Sequence, residues 1–139
     1  MAKIFVDTGA LIALTDEKDD FHNSALGFWK QKEEFATSVW VVEEFIAYLH
    51  SRLGLRAAIK GVEFLQELGE WMATKFLDDN ILKETFNQFQ KYGSRRISIV
   101  DVSNAVLMKD LGLEQIFAFD KRFRSVFKLQ VLPESSNWS

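Results

Sequence analysis

The residues of this chain best placed to do chemistry are acids. Asp7 follows Ile4-Phe5-Val6, and Asp120 follows Ile116-Phe117-Ala118-Phe119, so each ends a short apolar run. Such runs read as strands buried on both faces of a parallel sheet. A strand that ends in Asp and turns straight into a helix puts that carboxylate at the C-terminal edge of the sheet, where ligands bind in open α/β folds. Asp101 opens a helix in Ser98-Ile99-Val100-Asp101. Glu44 sits in a long helix, opposite the broad apolar face of Val39, Val42, Phe45, Ile46, Leu49 and Leu53. Its neighbours Trp40, Ala47, Tyr48 and Ser51 are too apolar for an ordinary solvated face, and Glu43 beside it can take the same role. Taken singly, each strand- or helix-end acid also reads as a cap or turn residue. Asp7 suits an N-cap, Ser98-x-x-Asp101 a capping box, and Asp120 a turn. Brought together at one edge, such acids would repel, raise their own pKa values or recruit cations.

The elements that must position them alternate along the chain. Strand runs are expected at 4–6, 35–37, 71–76, 116–119 and 129–132. Helices are expected at 8–14, 22–32, 38–52, 55–68, 80–91 and from 101 to 111, with Ser38 as a cap and Gly54 and Gly112 as stops. Short strands alternating with helices give βαβ units and a parallel sheet, and right-handed crossovers bring strand C-termini to one edge. Trp29, Trp40 and Trp71 read as core or interface anchors, and the stretch from Trp40 to Leu49 carries more apolar surface than one helix face needs.

Bulk composition narrows the classes. The 139 residues suit one domain with a full core, 47% are hydrophobic, and 13 are Phe, which argues against disorder. The single proline, Pro133, introduces a short polar tail over 133–139 that is expected to fray. The absence of cysteine excludes a disulfide framework and any thiolate ligand or nucleophile, and suits a cytoplasmic protein. His22 and His50 lack the spacing of a metal pair. No apolar run is long enough to span a bilayer. A net charge of −3 excludes a general nucleic-acid coat, so any such contact needs a local basic patch. Two candidates flank the acids: Lys121, Arg122 and Arg124 after Asp120, and Arg95 and Arg96 before Asp101.

Four motifs together resemble the PIN domain family of metal-dependent nucleases, particularly the small VapC-type toxins of toxin–antitoxin pairs. They are Phe5-Val6-Asp7-Thr8, Thr37-Ser38-x-x-Val41-x-x-Glu44, Ser98-x-x-Asp101, and Phe119-Asp120-Lys121-Arg122-Phe123. The likeness runs from about Lys3 to Leu132, and its register selects Glu44 over Glu43. Two positions depart from the pattern. Gly9 stands where many relatives carry Ser, and Val100 where relatives often carry Thr.

The resemblance implies a three-layer α/β/α PIN-like fold over 1–139, with a central parallel sheet of four or five short strands. It implies hydrolysis of RNA phosphodiesters with Mg²⁺ or Mn²⁺, one or two ions, on an all-oxygen ligand set. Asp7 and Asp101 are then the central ligands, supported by Glu44 and Asp120. Thr8 would hydrogen-bond a ligand carboxylate, and Asn104, one turn after Asp101, would orient a water or phosphate. The same resemblance implies a homodimer and an antitoxin partner. The alternatives are a PIN nuclease of RNA processing, or a catalytically weak scaffold that binds RNA or protein. A haloacid-dehalogenase-type phosphotransferase is ruled against by Gly9, which stands where that class needs a second Asp. A receiver domain does not accommodate Glu44 in mid-helix and Asp101 at a helix start.

Overall fold

In the computed structural model, which describes residues 2–31, 33–92 and 96–134 (Glu70 by its backbone alone), Ile4-Phe5-Val6 forms a strand, β1 (Ile4–Val6), buried along its whole length. The chain continues through α1 (Thr8–Thr15), α2 (His22–Trp29), β2 (Phe35–Ser38), α3 (Val39–Leu53) and α4 (Leu55–Glu67). A 3-10 turn at Leu68–Glu70 leads to β3 (Met72–Lys75), α5 (Asp79–Tyr92) and α6 (Ile99–Leu111). Last come β4 (Gln115–Phe117), α7 (Arg122–Ser125) and β5 (Gln130–Leu132).

The strands form one sheet in the order β3-β2-β1-β4-β5, and every neighbouring pair is parallel. The chain steps outward from β1 through β2 to β3, then crosses back to β4 on the far side of β1. With right-handed crossovers this reversal puts α1 to α4 on one face and α5 to α7 on the other. Contacts of α1 with α2 and α3, and of α5 with α6, agree with that division. The fold is thus the expected three-layer α/β/α arrangement, with five strands. The reversal also makes a topological switch point between β1 and β4, where open α/β sheets bind ligands. Asp7 and Asp120 leave the sheet at that point.

Local chemistry explains the element ends. Ser38 caps α3 by accepting the Val41 N–H at 3.1 Å, and Gly54 ends that helix at φ +97°. Gly112, left-handed at φ +72°, ends α6. In the sheet, Phe5, Phe35, Ile116, Phe117 and Val131 are fully buried. Each such side chain contributes about 1.5–3 kcal/mol of burial free energy before entropy is counted. Trp29 stacks on Phe35 with ring centres 4.4 Å apart.

Several expectations needed adjusting. Strand β4 ends at Phe117, because Phe119 turns to stack on Phe21 at 4.7 Å instead of continuing the ladder. The short helix α7 was not foreseen in Lys121-Arg122-Phe123, since four residues carry too little periodicity to register. The core line of α3 is Val41, Phe45 and Leu49, while Leu53 at its end is 51% exposed. Trp71 is exposed at the sheet edge and is no core anchor. Surplus apolar surface lies on α4, where Leu55, Ile59 and Val62 form an exposed stripe, rather than on α3. Among the described residues, no helix is long and apolar enough to cross a membrane. Of the polar tail, residues 135–139 lie outside the described residues.

Candidate active site

Asp7 is fixed from several sides. Its N–H donates to the Phe117 carbonyl at 3.1 Å, which ties the end of β1 to β4. Its side chain caps α1, with Oδ2 accepting the Gly9 N–H at 3.4 Å. Asn104 Nδ2 donates to Oδ1 at 3.0 Å. Asp7 is only 7% exposed. Burial pushes its pKa up to about 8, and the charges of Asp101 and then Glu44 add to this against the Thr8 and Gly9 N–H groups. One residue back, Thr37 Oγ1 donates to the Val6 carbonyl at 2.8 Å, bracing β2 against the strand that delivers the acid.

Asp101 lies in the first turn of α6 and does take part in a capping box. Oδ2 accepts the Ser98 N–H at 3.1 Å, and the Asp101 N–H donates to Ser98 Oγ at 3.0 Å. The capping reading is therefore correct, and it leaves the acid free to face Asp7 and Asp120 as well. Burial raises the Asp101 pKa; the Ser98 bonds oppose this, Asp120 adds to it, and Arg122 opposes it. Glu44 is half-buried on α3 with its charge acting on Asp7, while Glu43 is exposed.

Asp120 follows β4 and is held by Arg122. The Arg122 N–H donates to Oδ1 at 2.9 Å, Nε donates to Oδ1 and Oδ2 at 3.0 and 3.1 Å, and Nη2 donates to Oδ2 at 2.5 Å. Burial would raise the Asp120 pKa, yet these bonds hold it below the usual carboxylate value. Nη2 also lies 4.0 Å from Asp101 Oδ2, and Nη1 donates to the Arg96 carbonyl. Arg122, expected to face RNA phosphate, is instead turned onto the acids. Lys121, Arg124 and Arg96 are exposed, and Arg95 lies outside the described residues.

The remaining expected residues fall as follows. Asn104 is fully buried and bonded to Asp7 itself, not turned outward toward water or phosphate. Thr8 Oγ1 makes none of the carboxylate bonds expected of it; like Asn104 Oδ1, it is buried without a hydrogen-bond partner. A Cβ at Gly9 would meet Asp7 Oδ2 at 3.6 Å, an ordinary contact, so the departure from Ser is not imposed by space. The bracing role of Thr37 was missed. Its signal was a hydroxyl in the middle of a strand otherwise ready for burial.

Asp7 feels the charges of Asp101 and Glu44, and Asp101 that of Asp120, so the four acids lie within electrostatic reach of one another in series. The donor set is all oxygen, two buried polar atoms beside it lack partners, and its central carboxyl is buried beside like charges. These features fit a hard divalent cation. As the side chains stand, no three acidic or histidine residues among those described are gathered closely enough to hold an ion.

The site thus stands on a five-stranded parallel α/β sheet, with Asp7 and Asp120 leaving it where the strand order reverses. The chain belongs to the PIN domain family, whose model matches residues 4–129. It is 27% identical over 132 residues to the 23S rRNA-specific endonuclease VapC20 of Mycobacterium tuberculosis, covering 94% of this chain and 99% of that one. The crystal structure of M. tuberculosis VapC20, described as a sarcin–ricin loop cleaving toxin, superposes with a TM-score of 0.81 at 26% identity, covering 88% of this chain and 94% of that one. DNA-bound VapBC from Salmonella typhimurium shares the fold, with a TM-score of 0.66 at 13% identity over 94% of this chain and 97% of that one. The reading of the sequence as a PIN-type endoribonuclease of the VapC kind holds.

Proposed function

We propose that residues 1–139 act as one PIN-type domain that cuts RNA with Mg²⁺ or Mn²⁺, as the cytoplasmic toxin of a toxin–antitoxin pair. The observation that carries this reading is Asp7, desolvated beside Asp101 and Glu44 and tied in place by Asn104. A carboxyl buried among like charges is costly unless a cation offsets it. Asp7 and Asp101 would hold one or two ions, with Asp120 and Glu44 as further ligands or as acceptors that orient the attacking water. A divalent ion supplies charge neutralisation for the phosphodiester, an activated water and stabilisation of the leaving oxygen.

The chain's own residues do the rest. Asn104 keeps Asp7 aimed, Thr37 braces the strand behind it, and the Ser98 capping box fixes the first turn that carries Asp101. Exposed Lys121, Arg124 and Arg96 supply phosphate contacts beside the acids. VapC20 is named for cleavage of 23S rRNA, which makes a structured ribosomal RNA loop the substrate class favoured for this chain. The exposed Leu55, Ile59 and Val62 stripe supports a protein partner, an antitoxin chain or a second copy in a homodimer.

Incubation of the purified protein with 23S rRNA and Mg²⁺ tests this. Discrete cuts are expected, lost with EDTA and lost in Asp7→Asn. Cleavage that survives both treatments contradicts the reading.

A further inference from the structure

Arg122 already fills the part a cation would play in this pocket. Both Asp120 oxygens accept from it, through Nε at 3.0 and 3.1 Å and through Nη2 at 2.5 Å. Nη2 reaches within 4.0 Å of Asp101 Oδ2, and Nη1 is anchored on the Arg96 carbonyl, in the segment that leads into α6. One guanidinium therefore spans the two segments that carry Asp101 and Asp120. The planar fork of an arginine suits this, since it bonds a carboxylate through two nitrogens at once. Both oxygens of Asp120 are thus engaged, and among the described residues no three acids are gathered tightly enough, as the side chains stand, to hold an ion.

We propose that Arg122 is an internal competitor for the divalent cation: its guanidinium neutralises the acid cluster in the cation-free protein and must leave Asp120 before that carboxylate can become a ligand. The proposal rests on the metal-dependent reading of the same site. Arg122 is here a positioning residue that sets the cation concentration at which the site assembles. The Arg122 side chain is 40% exposed, so solvent screens the bridge and the competition is moderate.

Mn²⁺ binding to wild type, Arg122→Gln, Arg122→Lys and Asp7→Asn, measured by calorimetry and by the electron spin resonance of free Mn²⁺, tests the proposal. Arg122→Gln is expected to bind Mn²⁺ about 3–10-fold more tightly than wild type. Its cation-free melting temperature is expected to fall, because the bridge is lost. A merely structural role would move stability and affinity in the same direction. Arg122→Lys, which keeps the charge without the fork, should bind with intermediate affinity, and it serves if the Gln variant does not fold. Asp7→Asn should lose binding. Equal or weaker binding by both Arg122 variants, with Asp7→Asn still losing it, overturns the competitor role and leaves the metal site standing. Binding that Asp7→Asn does not change overturns the site itself.

Discussion

Asn104 Nδ2 donates to Asp7 Oδ1 at 3.0 Å, a buried bond that joins residues 97 apart in sequence. The bond couples the start of α6 to the end of β1, and so couples the segment of Asp101 to Asp7. Removing it with Asn104→Ala leaves Asp7 without its side-chain donor. The expected cost is about 1–2 kcal/mol of stability. Cleavage should fall about 10–100-fold, in the range of lost partners behind metal ligands. Denaturant unfolding and initial rates read the two effects. An Asn104→Ala protein that cuts at the wild-type rate would deny the residue its aiming role.

The buried carboxyl gives the cation-free protein a distinctive pH dependence. Asp7 moves from the ordinary 3.8 to about 8 on folding, chiefly through burial and then through Asp101. Between those values the folded chain binds more protons than the unfolded one, so stability falls as pH rises. Melting temperatures measured in EDTA from pH 5 to pH 8 should decline, and Asp7→Asn should flatten the decline. Asp120, held low by Arg122, acts in the opposite sense, and its contribution is lost only as pH falls through the acid range. Parallel curves for wild type and Asp7→Asn would contradict the burial assigned to Asp7.

Gly9 leaves room for a β-carbon, which would meet Asp7 Oδ2 at an ordinary 3.6 Å. Gly9→Ser is therefore expected to stabilise the first turn of α1 by about 0.5 kcal/mol, through lost freedom of the unfolded chain. The new hydroxyl beside Asp7 should raise Mn²⁺ affinity. Calorimetric melting and Mn²⁺ titration check both effects, and a fall in both would mean that the site is closed to a side chain there.

Two other helical glycines should respond in opposite ways. Gly61 of α4 is buried against Leu49, Ile46 and Phe45 of α3, and a Cβ there collides with the Leu49 side chain. Gly61→Ala should cost about 1–3 kcal/mol by overpacking the α3–α4 contact. Gly27 of α2 is exposed and faces open space, so Gly27→Ala should gain up to about 1 kcal/mol from helix propensity. Urea unfolding of the pair reads the contrast; equal effects would refute the close approach of the two helices.

Much of this arrangement was legible in the chain because its signals are local. Apolar triplets ending in Asp marked β1 and its edge, Ser38 and Ser98 marked helix starts, and Gly54 and Gly112 marked helix ends. The four acids became a set only through the family pattern, since each alone reads as a cap, and Asp7 and Asp101 do cap their helices. What stayed illegible depends on side-chain direction across long separations. Nothing near Arg122 in sequence says that its guanidinium turns back onto Asp120 rather than outward to a phosphate. The bonds from Asn104 to Asp7 and from Thr37 to the Val6 carbonyl exist only once β1, β2 and α6 have met. The exposed stripe of α4 escaped notice for a similar reason: Leu55, Ile59 and Val62 look like core positions until the close approach at Gly61 turns them to the outside.

Asp7 and Asp101 are proposed to hold a divalent cation between them. Anomalous diffraction from crystals grown with Mn²⁺ tests it most directly. A peak is expected about 2.1 Å from an oxygen of each carboxylate, with Glu44 or Asp120 bound directly or through water. A peak elsewhere, or none at saturating Mn²⁺, would contradict it.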